Sequence, residues 1–144
     1  MIPIRGIDHV VLRVRDLERM VAFYRDALGC EVVWRRPELG MVHVRAGGAL
    51  IDLVTHDGPV GGRGRGAPSR DGHNMDHLCL RVDPFDAGAI AAHLAAHGVK
   101  AGEVRERFGA EGEGPSIYLD DPEGNTVELK GPARTWPAAA RRAS

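Results

Sequence analysis

The chain has 144 residues, 19 basic and 20 acidic side chains and a formal net charge of -1, which leaves no strongly basic face for nucleic acid or an anionic membrane surface. No apolar run approaches the length of a membrane span, and the N-terminus lacks a signal-type apolar core. The two cysteines, Cys30 and Cys79, lie in apolar runs and read as small buried hydrophobes, so a reduced, cytoplasmic protein is expected.

The first element in the chain, Ile7-Asp8-His9-Val10-Val11-Leu12-Arg13-Val14, returns later as Met75-Asp76-His77-Leu78-Cys79-Leu80-Arg81-Val82. The same succession of elements follows each copy, as an internal duplication requires. After the first strand, Leu17, Met20, Val21, Phe23, Tyr24 and Leu28 give a helical period, with Asp16 as N-cap and Gly29 as stop. Three strand-like segments follow, over Cys30–Arg36, Gly40–Ala46 and Ala49–Thr55. The stretch from His56 to Asn74 is rich in Gly, Pro and Arg and reads as a linker. Arg63 and Arg65 in its Gly61–Gly66 run precede no helix, so a phosphate loop is not expected.

In the second half, Asp83-Pro84 reads as an N-cap with Pro in the first turn. A helix is expected over Ala87–His97, stopped by Gly98. Strands follow over Gly102–Phe108, Pro115–Leu119 and Asn125–Lys130, the last entered through the turn Asp121-Pro122-Glu123-Gly124-Asn125. The expected organisation is one domain over residues 1–131, with module one at 5–56, a linker at 57–74 and module two at 75–131. A tail at 132–144 is expected to be mobile or to dock through Trp136. Two βαβββ modules, strands outnumbering helices, make the class α+β.

Strand side chains alternate between faces. Val10, Leu12 and Val14 should face the helix, which turns His9 the other way, and Leu78, Leu80 and Val82 do the same for His77. In the last strand of each module, Ile51 and Leu53 face the helix and turn Asp52 inward, as Val127 and Leu129 do for Glu128. His9, Asp52, His77 and Glu128 therefore share one side. Two imidazoles with one or two carboxylates are a ligand set for Ni, Zn, Mn or Fe. One such His alone would read as a core residue, whereas the repeat favours a metal. His43 and Tyr118 alternate onto the same face, Tyr118 as a proton donor. Trp34, Arg45 and Arg107 complete the residues expected to choose the substrate. His93 and His97 read as a solvated helix face, and His56 and His73 flank the linker.

Three stretches resemble the vicinal oxygen chelate superfamily, which includes glyoxalase I, bleomycin-resistance proteins and extradiol dioxygenases. They are Gly6-Ile7-Asp8-His9-Val10-Val11-Leu12, Phe23-Tyr24 before Leu28-Gly29, and Asp121-Pro122-Glu123-Gly124-Asn125-Thr126-Val127-Glu128-Leu129. The resemblance implies a cup-shaped, mostly antiparallel sheet with helices on its outer side. It implies one divalent metal per site, held at His9, Asp52, His77 and Glu128, with Glu128 doubling as base. It also implies a small-molecule substrate and a homodimer. The implied chemistry is that of a glyoxalase-like lyase or isomerase. The alternatives are an Fe(II) dioxygenase or a metal-free, drug-sequestering protein. Asp52 stands where glyoxalase I has Glu, one methylene longer, which leaves a three-ligand site open. Val11 stands where fosfomycin-resistance members carry Thr, which disfavours that substrate.

Overall fold

The computed structural model describes residues 7–63, 66–69, 71 and 75–137. The chain divides into two compact units, residues 1–73 and 74–144. In the first, β1 (His9–Val14), α1 (Leu17–Ala22), β2 (Glu31–Arg36), β3 (Met41–Ala46) and β4 (Ala49–Thr55) form a sheet of order β1-β4-β3-β2. In the second, β5 (His77–Arg81), α2 (Ala87–Ala96), β6 (Arg105–Gly109), β7 (Gly112–Asp120) and β8 (Thr126–Lys130) repeat that order as β5-β8-β7-β6. The first and last strand of each unit run parallel and the other pairs antiparallel, so each sheet is mixed. The class is α+β, as expected. No helix among the described residues is long and apolar enough to cross a membrane.

Asp16 caps α1 by accepting from the Arg19 N–H, satisfying one of the free donors of the first turn. The helix then widens into a π-type turn over Phe23–Ala27. Its end is closed by Cys30 N–H donating to Tyr24 O at 2.9 Å, with Gly29 at φ +72°, where an L side chain would be strained. Met20, Val21 and Tyr24 are fully buried on this element, and so are Val14, Val44 and Leu53 on the strands of the same sheet. Leu53→Ala should therefore cost about 2–5 kcal/mol, from lost burial plus the residual cavity. A lower urea midpoint at unchanged slope would report it.

Two expectations change here. The cap of α2 is Asp86, which accepts from Ala89 N–H, and not Asp83. The Asp83–Pro84 bond is cis and lies before the helix, so the proline does not occupy its first turn. Cys79 is exposed rather than buried, because it alternates with Leu78 and Leu80 onto the His77 side, while Cys30 is buried as expected.

Arg13 holds the described part of the linker, donating to the carbonyls of His56, Gly61 and Gly66. His73 and part of the Gly-rich run lie outside the described residues. Of the expected tail, Thr135 bridges to Glu113 and Trp136 meets Phe108 edge-on at 5.3 Å, while residues 138–144 lie outside the described residues.

Candidate metal and proton-transfer site

Strand register, rather than sequence distance, sets which side chains meet. In the second unit, Cys79 and Tyr118 both stand opposite Glu128. The buried turn residue Asp121 fixes that register. Its carboxylate accepts from the Glu123 and Asn125 N–H groups and from Asn125 Nδ2, which closes the turn into β8. Glu128 is consequently 4% exposed. Its Oε2 lies 3.2 Å from His77 Nε2, and its Oε1 is buried without a hydrogen-bond partner among the described residues. The imidazole of His77 sits 5.3 Å from the Tyr118 ring, and the Arg107 guanidinium covers that ring at 4.1 Å. Arg107 is held by donating to Ser116 Oγ at 2.8 Å.

The first unit repeats this arrangement with different groups. Val11 and His43 stand opposite Asp52, so His43 is the counterpart of Tyr118. His43 Nδ1 donates to Asp52 Oδ1 at 2.6 Å, and its Nε2 is buried without a partner among the described residues. Trp34 stacks on the imidazole at 5.7 Å and 22°. Asp52, buried at 4% exposure, thus has the hydrogen-bonding partner its burial demands. That partner is His43.

Asp8 and Asp76 are functional candidates that strand alternation did not single out. His9 Nδ1 donates to Asp8 Oδ1 at 2.6 Å, and His77 Nδ1 to Asp76 Oδ2 at 2.7 Å. Committing Nδ1 to a neighbouring carboxylate turns Nε2 outward as the coordinating nitrogen, the usual arrangement behind a metal-bound imidazole. The signal was present as the twice-repeated Asp-His dipeptide. His9 titrates above its ordinary range, chiefly through the Asp8 hydrogen bond, with the Asp52 charge adding to it. Since coordination needs neutral imidazole, protons should compete for His9 from somewhat above the usual histidine pKa.

These groups fit a divalent cation. In the second unit Glu128 supplies a hard anionic oxygen and His77 an oriented imidazole nitrogen, and in the first unit His9 supplies an imidazole oriented in the same way. Within neither unit do three or more His, Cys, Asp or Glu side chains gather into a complete metal cluster among the described residues. His93 and His97 lie on an exposed stretch of α2, with His97 Nδ1 donating to the His93 carbonyl, and take no part.

Cys79 is open in area but lines a recess with His77 and Glu128, and desolvation there, followed by the Glu128 charge, pushes its thiol up to about 11. Without a bound cation, such a thiol stays protonated at neutral pH. In chelator-treated protein, its alkylation by iodoacetamide should keep rising with pH until near 11, because the raised pKa delays the thiolate. Glu128→Gln should move that inflection down. An inflection near the ordinary thiol value, about 8.5, in wild-type protein would contradict the placement.

Residues 6–129 match the Glyoxalase/Bleomycin resistance protein/Dioxygenase superfamily. The chain belongs to this superfamily. Among its relatives, mouse mitochondrial methylmalonyl-CoA epimerase is 32% identical, over 86% of this chain and 71% of that protein. Catechol-2,3-dioxygenase of Bacillus subtilis is 26% identical over 90% of this chain, which spans only 43% of the dioxygenase. The crystal structure of Virulence protein STM3117 from Salmonella typhimurium superposes with a TM-score of 0.73 at 28% identity, covering 92% of this chain and all of that one. Members of the superfamily thus differ widely in chemistry, and the fold leaves the reaction to the side chains on the inner face.

Proposed function

We propose that this superfamily member is a metal-dependent, glyoxalase-like enzyme that moves a proton on a small oxygenated substrate, in a lyase or isomerase reaction. The observation that carries this reading is the buried Glu128 carboxylate, with one oxygen at His77 and the other unpartnered. Such a carboxylate suits a general base working next to a cation. Similarity to an epimerase, whose reaction inverts a carbon centre, supports proton transfer beside a carbonyl.

In this reading His9, His77 and Glu128 hold the metal, with Asp52 as a fourth ligand or as the carboxylate that positions His43. When bound, the metal polarises a substrate oxygen and stabilises the enolate charge that develops beside it. Glu128 takes the proton. Tyr118, directly opposite on β7, returns one, and the Arg107 cation over its ring orients it. Asp8 and Asp76 keep the imidazoles turned for coordination. The homodimer implied by the resemblance belongs to the same proposal, and sedimentation would test it.

A dioxygenase reading draws on the two-His, one-carboxylate set and on the similarity to catechol-2,3-dioxygenase. One experiment separates the readings. Protein loaded in turn with Ni, Zn, Mn and Fe(II) would be incubated in deuterated water with 2-substituted carbonyl compounds. Metal near one per site and deuterium uptake into substrate would support proton transfer. Oxygen consumption with Fe(II) alone would move the assignment to the dioxygenase. Failure to retain any metal would overturn both and leave the sequestering alternative.

A further inference from the structure

Comparing the two units position by position isolates a side chain that the repeat does not explain. On the inner face, each sheet carries a row of three residues two places beyond the candidate carboxylate. In the first unit this row is Arg13, Val54 and Met41. In the second it is Arg81, Lys130 and Ser116. A lysine thus replaces a buried valine at the centre of the row. The chain contains 17 arginines and only two lysines, Lys100 and Lys130.

Lys130 is 8% exposed, and its Nζ is buried with no hydrogen-bond partner among the described residues. A buried ammonium without an anion is costly, so the position asks for one. Of the neighbouring cations, Arg81 pairs with Glu111 at 2.9 Å, and Arg107 is held by donating to the neutral Ser116 and covers the Tyr118 ring. The stem of Lys130 lies along Gly109 of β6, where an added Cβ would stand 2.5 Å from Cε. Glycine at 109 is what leaves the stem its path. Lys130, His77, Glu128, Cys79, Phe108 and Gly109 all line one cavity of about 280 Å³.

We infer that Lys130 binds a carboxylate of the substrate, and that the substrate is a chelating oxygenated acid with a second, distal carboxylate. The inference takes the position of the reacting end from the proton-transfer site proposed above. Two residues along a strand put the backbones of Glu128 and Lys130 about 7 Å apart, so both side chains reach the same cavity. A single ammonium, with both adjacent guanidinium groups committed, suits a carboxylate rather than a phosphate, which draws on several donors. Phe108, half-exposed, adds an apolar surface to the same cavity wall.

The test compares 2-hydroxyglutarate with 2-hydroxypentanoate, which share the chelating head and differ in the distal carboxylate. Calorimetry on metal-loaded wild-type protein should show the diacid binding at least tenfold more tightly. Lys130→Met should abolish that preference with metal content unchanged, and Lys130→Arg should retain part of it. Wild-type protein labelled with ¹³C-lysine gives a measurement that needs no Lys130 variant. Its two lysine Cε signals are assigned through Lys100→Arg, and glutarate, which lacks the chelating head, should move the Lys130 signal alone, in metal-free protein as well. If the protein retains no metal under any loading, the metal reading falls, and a Lys130 signal that still moves with glutarate upholds carboxylate binding at Lys130. Equal binding of the two hydroxy acids by wild-type protein, a preference surviving in Lys130→Met, or a Lys130 signal unmoved by glutarate would overturn the inference. A response to inorganic phosphate and not to glutarate would overturn it as well.

Discussion

Glu128→Gln should lower the rate of solvent-deuterium uptake into substrate by about 10²–10⁴-fold, the range that a positioned general base contributes. The amide keeps the size and one oxygen of the carboxylate, so packing against His77 and Tyr118 should survive and the unfolding midpoint should change little. Two effects of the charge separate in the measurement. If Glu128 only held the metal, the loss would track metal content and saturating metal would restore the rate. If it also accepts the proton, the rate stays low at full metal loading, because an amide oxygen has no comparable basicity. Tyr118→Phe should leave metal content unchanged and reduce the rate by a smaller factor, since its hydroxyl returns a proton and holds no metal. A Glu128→Gln variant with wild-type exchange would remove this residue from the chemistry.

His77→Ala should abolish metal retention, read by elemental mass spectrometry on protein purified without chelator. The variant loses the coordinating nitrogen and also the group that faces Glu128 Oε2 at 3.2 Å. Asp76→Ala is the more discriminating change. It leaves every proposed ligand in place and removes only the carboxylate 2.7 Å behind His77 Nδ1. Loss of such a support lowers metal affinity by about 10–100-fold. Because Asp76 is exposed, its removal should not affect folding, so a shift in affinity at constant unfolding midpoint identifies a positioning role. Unchanged affinity in Asp76→Ala would show that the imidazole needs no support. In the first unit, Asp52→Ala carries the same question. If metal content persists while His43 loses its ordered contact, Asp52 acts behind His43 and the ligands are His9, His77 and Glu128.

Much of this was legible in the sequence, for a definite reason. A duplication written in residues of opposite polarity carries its own face assignment: Val10-x-Leu12, Ile51-x-Leu53, Leu78-x-Leu80 and Val127-x-Leu129 turn one face to the helix, and His9, Asp52, His77 and Glu128 take the other by parity. The strands, the capping Asp16 and the stops at Gly29 and Gly98 were readable because each depends on neighbours within a few residues. The cap of α2 was misplaced for the same kind of reason. Asp83-Pro84 and Asp86 both satisfy the local rule, and only the path of the chain between β5 and α2 selects Asp86.

What tertiary structure decided is which polar groups meet across strands. Alternation shows that His43 and Asp52 share a face, but only the antiparallel register of β3 on β4 places them opposite one another, giving Asp52 a partner and His43 a free nitrogen. The same alternation puts Lys130 beside Glu128, as it puts Arg13 on the face of His9. Nothing local reveals that Arg81 is paired with Glu111, that Arg107 is held at Ser116, and that Lys130 Nζ is buried without a hydrogen-bond partner among the described residues. Hydrogen-bond satisfaction is a property of the assembled sheet, where each buried charge either finds its partner or keeps the need for one. That is why the sequence could name the residues of each sheet face, while the structure was needed to show which of them find partners within their own sheet.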